Sequence, residues 1–575
     1  MEKNPDCKLV SVPHQTYLEK MLKSSREYVF KSEDGYVKGY QFENQLINQL
    51  ITPNRLRTLT NETPLFIASQ TGSGKSTLVM NQVLSLVKSR QQKLLILSSR
   101  TALADQYRRE AALVENPDLL KDLTPSGLRK QKDFGMVTIF TYQEFFFYMR
   151  KNCHQSFTQY GAVVLDECHF FVQDAAFNEY TQSLLKSLVH CFHHCLRFYL
   201  SATPDICLDE IIYVEKKHQY KKMYFDNPWN NNFYYPVPNN TFSLYYFANN
   251  YSYIEPCFFK NNQDIVNIIK SDTSAYKYLI CVDTREQGKL LQKALGDSIC
   301  EYIDAELKKS TMENTVTAII NDRKFDKKVL IATSFLDVGI NLIDCNLTNI
   351  VIYSTDKTHF IQSIGRKRKL PQEKVTLYIH IPELEHVKRM LKNAQMLYRE
   401  MAQNKSEYIS KQQKVISSLS FPFYLETSYD TLKIQYNGYT FTFWESRIKS
   451  LEAMLSSIME NQEYEEAIAK HYLGWLELEE IYDKCHWLGN PPCIKNVEMI
   501  DFFDAYANQD LTEEIFSSFK DALLAKHNCV YPEAKLRKDR KLHINALNKY
   551  FDDKNLSYRI KKVSNTPKIY RIVKG

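Results

Sequence analysis

The run Ser69-Gln70-Thr71-Gly72-Ser73-Gly74-Lys75-Ser76 has the residue types and spacing of a loop that holds phosphate. Its glycines let backbone N–H groups close around phosphate oxygens with no Cβ in the way. In such a loop Lys75 reaches the β- and γ-phosphates and the Ser76 hydroxyl ligates Mg²⁺. Ser69 stands where a leading glycine is usual. Further along, Ala162-Val163-Val164-Leu165-Asp166-Glu167-Cys168-His169 ends an apolar run in two adjacent acids. Asp166 would hold the metal, and Glu167 would polarise the water that attacks the γ-phosphate. Strand ends commonly carry acids, so the pair says little alone. Behind a phosphate loop it completes a site for ATP and Mg²⁺.

These residues need elements to position them. Leu65-Phe66-Ile67-Ala68 has the length of a buried strand, and Thr77 to Leu84 carries apolar residues at helical spacing. Strand, glycine-rich turn and helix set Thr71, Gly72, Ser73, Gly74, Lys75, Ser76 and Thr77 around a nucleotide, with a positive helix end among them. Strand-like runs alternate with helix-period segments over Leu65–Thr203 and again over Lys277–Ile381, which predicts two parallel α/β sheets. Tyr213 to Phe259 is crowded with Tyr, Phe and Asn, including Trp229 to Pro236. It reads as the packed face of a small joining sheet, in preference to a platform for stacking bases. Beyond Pro382, Leu384–Leu419 and Glu445–Gln462 have helical periodicity. Leu432–Phe443 reads as a hairpin turning at Asn437-Gly438.

A chain of 575 residues allows about three domains at roughly 150 residues each. No run approaches the roughly 18 apolar residues needed to cross a bilayer, and Met1–Val10 has no apolar stretch of a secretory signal. Thirteen cysteines without framework spacing suit a reducing compartment. The expectation is a soluble, intracellular, cytoplasmic protein with no membrane partner. His190 to Cys195, and Cys485, Cys493, His527 and Cys529, lack the paired spacing of zinc sites. Glu533-Ala534-Lys535 imitates the end of a nuclease motif without the strand and acidic partner it needs. Net charge is +7, yet Leu511–Gly575 alone holds 15 Lys and Arg against 7 Asp and Glu. Helical segments there precede two basic strand-like runs, Ser557–Val563 and Lys568–Val573, an order that resembles a winged helix. Such a unit docks on a duplex or on a protein partner.

The motifs then follow in an order that resembles the DEAD/DEAH-box (DExH-type) helicases of superfamily 2. Tyr40-Gln41 precedes the phosphate loop, and Asp166-Glu167-Cys168-His169 is similar to motif II. Leu97–Gln106, Val137–Gln143 and Ser201-Ala202-Thr203 resemble motifs Ia, Ib and III. Tyr278–Arg285 resembles motif IV, Val329–Thr333 with Asp337–Asn341 motif V, and Gln362–Lys369 motif VI. The set spans Tyr40 to Lys369.

The resemblance implies an α/β fold of two tandem RecA-like parallel-sheet lobes with ATP between them. A mostly helical C-terminal region would follow and end in the winged helix. Implied boundaries are an N-terminal extension over 1–35, lobe 1 over 36–210, an aromatic interlobe segment over 211–260 and lobe 2 over 261–385. A helical accessory domain over 386–510 and a basic domain over 511–575 complete the chain. By motif match Gln41 reads adenine, and Gln362 and Arg366 reach the γ-phosphate. Arg368 or Lys369 stands for the family's second arginine, Lys369 at its position and Arg368 one residue before. His169, Ser201 and Thr203 would couple the ATP site to a nucleic-acid track of Ser99, Arg100, Thr141, Tyr142, Thr284, Arg285 and Thr333. Such backbone-gripping contacts imply little base specificity. The implied activity is ATP-dependent unwinding of nucleic acid, DNA in preference to RNA. A duplex translocase or RNA or nucleoprotein remodeller, and an ATPase switch gating a protein partner, are the competing readings.

Overall fold

The computed structural model describes residues 8–11, 27–32, 35–42, 47, 51–61, 64–122, 124–152, 157–226, 241–247, 249–304, 319, 322–333, 342–367, 373–411, 423–428, 431–458, 463–489, 502–530, 543–553, 558–566 and 568–574. Among them the first sheet has nine strands. They are β1 (Lys8–Ser11), β2 (Glu27–Ser32), β3 (Gly35–Phe42), β4 (Leu65–Ala68), β5 (Lys93–Ser98), β6 (Val137–Thr141), β7 (Tyr160–Asp166), β8 (Leu196–Ser201) and β9 (Thr241–Phe247). The order is β1-β2-β3-β9-β4-β8-β7-β5-β6, parallel except for β2 against β3. Strands covered on both faces read as unbroken apolar runs. Within β4, Phe66 and Ala68 enter one core while Leu65 and Ile67 enter the other.

The second sheet is built from β10 (Ile254–Phe259), β11 (Lys277–Cys281), β12 (Cys300–Ile303), β13 (Val329–Ala332), β14 (Leu347–Ile352) and β15 (Val375–His380). Two lobes of parallel sheet, each with its own core, form the tandem RecA-like body expected above. Among the described residues the aromatic segment forms no separate joining sheet, which corrects that expectation. β9 lies inside the first sheet between β3 and β4, and β10 lies inside the second against β15. The aromatics do form a packed face, with Phe242, Leu244 and Tyr246 in one core and Tyr245 and Phe247 in the other. Trp229–Pro236 lies outside the described residues.

The accessory region also departs from expectation. The hairpin is β16 (Phe423–Ser428) against β17 (Thr431–Tyr436), ending before Asn437-Gly438. Asn437 is instead the N-cap of helix Gly438–Ser456, its side chain accepting from the Tyr439 N–H. The same Asn437 amide donates to the Asn178 carbonyl at 2.8 Å and to Thr181 Oγ1 at 2.9 Å. An Asn side chain that satisfies a helix end and a neighbouring lobe outweighs the local turn preference of Asn-Gly. This helix bridges the lobes. Tyr439 is buried in a lobe 1 core, and Leu451 and Met454 are buried in a lobe 2 core.

β18 (His486–Trp487) returns to pair with β10. The C-terminal unit has β19 (Asp510–Thr512), helices Glu513–Val530 and Ile544–Asp553, then β20 (Tyr558–Asn565) and β21 (Lys568–Lys574). The strands form a small antiparallel sheet in the order β19-β21-β20, the winged-helix layout. Residues 531–542, with Glu533-Ala534-Lys535, lie outside the described set, as does Cys493. Among the described residues no helix is long and apolar enough to cross a membrane.

Candidate functional site

Strand order gathers what the chain separates. The C-terminal ends of β4, β8 and β7 lie side by side, bringing the loop after Ala68, Ser201 and Asp166 to one sheet edge. Such an edge, outside the carboxyl ends of parallel strands, is where open α/β sheets bind ligands. The loop is tied to its neighbour by the Ser69 N–H donating to the Ser201 carbonyl at 3.0 Å. Gly74 sits at φ +98°, and a Cβ there would meet nothing within 4 Å. Backbone conformation, not space, therefore requires glycine at 74. Lys75 folds back, donating to the carbonyls of Ser69 at 2.8 Å and Gln70 at 3.2 Å. The helix that follows runs through Lys75–Thr77, a π-helical segment Leu78–Val83 and Leu84–Ser89.

A cleft of about 500 Å³ opens over this loop, and both lobes line it. Thr71, Gly72, Gly74, Lys75, Ser76, Thr77, Asp166 and Glu167 form one wall, and Arg366 and Arg323 the other. Asp166 is buried, accepts from the Tyr107 hydroxyl at 2.7 Å and from the Glu167 N–H at 3.0 Å. Burial, then the Glu167 charge, raises the Asp166 carboxyl to about 6, against the pull of Lys75. Two close carboxylates beside a phosphate loop are the donor chemistry a divalent cation suits, so Asp166 and Ser76 fit Mg²⁺. Glu167 itself holds a left-handed backbone, φ +51°, rare for a residue with a side chain.

Behind the acids, His169 joins the lobes. Its Nδ1 lies 3.2 Å from Ser201 Oγ and 3.4 Å from Glu167 Oε2. Its Nε2 lies 2.7 Å from Gln362 Nε2 on the helix Lys357–Ile364. An amide nitrogen only donates, so Nε2 accepts and the ring proton sits on Nδ1. Burial lowers the His169 pKa and keeps the ring neutral, as this pairing requires. Ser201 Oγ also accepts from the Thr203 N–H at 3.0 Å. Nearby, a Cβ added at Gly365 would lie 1.9 Å from Thr71 Oγ1, so only glycine admits this approach of motif VI to the phosphate loop.

Other expected site residues are placed unevenly. Gln362 is engaged with His169 and is not among the residues lining the cleft. The Ser73 hydroxyl donates to Ser69 Oγ at 3.0 Å. Gln41 lies on β3, opposite Tyr246 of β9, and nothing of its side chain is described. Arg368 and Lys369 lie outside the described residues. Lys367 is buried against the Asp344 carbonyl and Glu373, both at 2.8 Å.

On the expected track, Ser99 is half-buried, Thr284 and Arg285 are exposed, and Thr333 is partly open. Three of its members are otherwise engaged. Tyr142 is fully buried, stacked on Phe170 with centroids 4.6 Å apart, and donates to the Asp166 carbonyl at 3.0 Å. It offers a strand no surface, which removes it from the track. Arg100 makes a forked ion pair with the buried Asp174, its Nη2 2.7 Å from Oδ1. Thr141 Oγ1 caps the helix Tyr142–Lys151 by accepting from the Glu144 N–H. Sequence reasoning missed Tyr107, Asp174 and Arg323, whose roles arise from long-range contacts. Gly365 stood inside a quoted motif, and its glycine was the signal.

Residues 17–206 match the family described as Type III restriction enzyme, res subunit, and residues 260–369 match the Helicase conserved C-terminal domain. No curated protein matches the chain. Among solved structures the chain is similar to S. cerevisiae Dbp5 bound to RNA and ADP BeF3, at 16% identity over 56% of this chain and 80% of that one, TM-score 0.39. It is similar to Mycobacterium smegmatis helicase Lhr bound to ssDNA and AMP-PNP, at 13% identity over 57% of this chain and 46% of that one, TM-score 0.36. A third likeness is to the DUF1998 helicase MrfA bound to DNA and AMPPNP, at 14% identity over 59% and 51%, TM-score 0.38.

Proposed function

As the chain belongs to the superfamily 2 helicases, we propose that it hydrolyses ATP between its lobes to translocate on and unwind nucleic acid, with DNA as the preferred substrate. The observation that carries this reading is the hydrogen bond between His169 and Gln362 of the opposite lobe, made by an imidazole that lies 3.4 Å from the Glu167 carboxylate at the nucleotide cleft. A motor needs such a joint, because lobe closure must be sensed at the hydrolytic acid.

Lys75, with the backbone of Thr71 to Thr77, holds the triphosphate, and Ser76 and Asp166 hold Mg²⁺. When bound, the metal neutralises phosphate charge. Glu167 accepts the proton of the attacking water, and Arg366 faces the phosphates from the second lobe. Ser99, Thr284, Arg285 and Thr333 remain as the track. The basic winged helix supports a duplex partner through phosphate contacts.

The test is the ATPase rate with no nucleic acid, then with single-stranded DNA, duplex DNA and RNA at fixed low salt, followed by strand displacement. Strong stimulation by DNA supports the proposal. Stimulation by RNA alone overturns the DNA preference. Basal turnover that no nucleic acid stimulates overturns the motor and favours a switch that gates a protein partner.

A further inference from the structure

Sheet order carries the chain out of the first lobe beside the phosphate loop. β9, the strand from which the chain leaves lobe 1, pairs in parallel with β4, Tyr246 opposite Ala68. The loop leaves β4 after Ala68, and the linker to the second lobe leaves β9 after Phe247. The two segments therefore start from neighbouring strand ends, and the Gln70 side chain joins them. Its Oε1 accepts from the Asn250 N–H at 2.6 Å, and its Nε2 lies 3.5 Å from the Asn250 carbonyl. The shorter contact fixes which amide atom is oxygen, because a backbone N–H only donates.

From Asn250 onward the linker belongs to lobe 2. Asn250 Oδ1 accepts from the Ser252 N–H at 3.1 Å and from the Ser252 hydroxyl at 2.7 Å, which closes a turn. Tyr251 and Tyr253 are buried in a lobe 2 core with Ile254. The Val375 N–H donates to the Tyr253 carbonyl at 3.0 Å. A turn held by its own side chain and by two buried rings moves with the body that buries them. Gln70, at the other end of the contact, moves with the phosphate loop. Its carbonyl accepts from Lys75 Nζ at 3.2 Å, beside the Ser69 carbonyl at 2.8 Å. An ammonium has three donors and no acceptor, so a phosphate oxygen competes with these two carbonyls for the same group.

We propose that Gln70 is a positioning residue, relaying phosphate binding at Lys75 to the start of the second lobe through Asn250. The proposal rests on the motor reading above and deepens it by naming a second joint between the lobes. The joint of His169 with Gln362 lies beside the acids that end β7, whereas this one lies on the loop that holds phosphate. Phosphate drawing Lys75 from the Ser69 and Gln70 carbonyls shifts the loop, and the Gln70 amide carries that shift to a turn fixed in lobe 2. Gln70 is half-buried and Asn250 exposed, so water replaces the bond when it is cut, and the loss falls on coupling more than on the fold.

The test measures linkage on the full chain, as affinity for a fluorescent single-stranded DNA with and without a non-hydrolysable ATP analogue. The ratio of the two affinities is the coupling factor, and titrating the analogue with and without the strand must return the same value. Gln70→Met keeps the length of the side chain and removes both contacts. It should reduce the factor about two- to tenfold, the range one such hydrogen bond carries, and lower affinity for the analogue alone by less. Asn250→Ala opens the turn from outside the nucleotide site. It should reduce the factor similarly with affinity for the analogue unchanged. The double variant should be no worse than the poorer single one, since both interrupt one relay. A wild-type factor kept in Gln70→Met, or losses that add in the double variant, would overturn the proposal and leave the motor standing. So would a Gln70→Met protein whose affinity for the analogue falls as far as its coupling, which would make Gln70 a part of the phosphate loop and no more. A wild-type chain whose strand and analogue affinities are independent overturns the motor reading, and this relay with it.

Discussion

The Gln362 amide nitrogen lies 2.7 Å from His169 Nε2, and both side chains are buried. The contact joins motif VI on the second lobe to motif II on the first, with Glu167 on the other side of the same imidazole. A single ring thus lies between Glu167 and the opposite lobe.

Cutting that joint should uncouple the lobes without emptying the nucleotide site. Gln362→Leu is expected to preserve ATP binding and basal turnover, while nucleic-acid stimulation falls about five- to hundredfold, the range of ordinary coupling energies. Steady-state ATPase with and without nucleic acid checks this. Unchanged stimulation would show that the contact carries no signal.

Gly365→Ala should hold the lobes apart, because its Cβ would lie 1.9 Å from Thr71 Oγ1 and 2.6 Å from Thr71 Cβ. ATP turnover should drop at least tenfold, since the two walls of the cleft must meet around the phosphates. The double variant Gly365→Ala, Thr71→Gly removes the collision and should recover part of the loss. A double variant as poor as the single one would point to another cause.

Glu167→Gln should bind ATP normally and hydrolyse it roughly 10²–10⁴ times more slowly, the usual contribution of a positioned general base. Lys75→Ala should instead lose binding itself. Nucleotide titration beside single-turnover hydrolysis separates the two. A hydrolytically normal Glu167→Gln protein would take this acid out of the chemistry.

Asn437→Ala should destabilise the protein by about 2–4 kcal/mol, combining a lost helix cap with an Asn178 carbonyl left buried. Asn437 is fully buried, so water cannot replace the amide. Thermal or denaturant unfolding would read the effect. A change below about 0.5 kcal/mol would mean that the bridging helix does not depend on this anchor.

Acid should weaken the fold through His169. Its folded pKa is lowered from the ordinary 6.5, first by burial, so the folded chain binds fewer protons than the unfolded one just below that pH. Stability from this group is then constant above pH 6.5 and falls as pH drops from 6.5 towards the folded value. His169→Gln should flatten that part of the stability profile. A wild-type slope retained in the variant would assign the effect to other groups.

Much of the site was legible because local geometry demands particular residues. Gly74 must adopt φ +98°, Lys75 and Ser76 must follow it directly, and Asp166 must end a buried strand; each requirement leaves a short, ordered signature. The hairpin was misplaced because Asn437-Gly438 is a good turn locally and a better helix cap once lobe 1 supplies Thr181 and Asn178. Tyr142 was misassigned for a related reason. Position in a motif says which loop a residue begins, but only packing against Phe170 and Phe171 says that its ring faces inward.

By itself the sequence determined the two parallel-sheet lobes, the glycine-rich turn after β4, the adjacent acids at the end of β7 and the basic strands near the C-terminal end. These rest on hydrophobic period, backbone conformation and residue type, which act over a few residues at a time. The tertiary structure alone decided that β9 enters the first sheet, that one helix spans both lobes, that Gly365 touches Thr71, and that Gln70 meets Asn250. These depend on which distant segments pack together, a choice set by the burial and hydrogen bonding of the whole molecule and by no short stretch of chain.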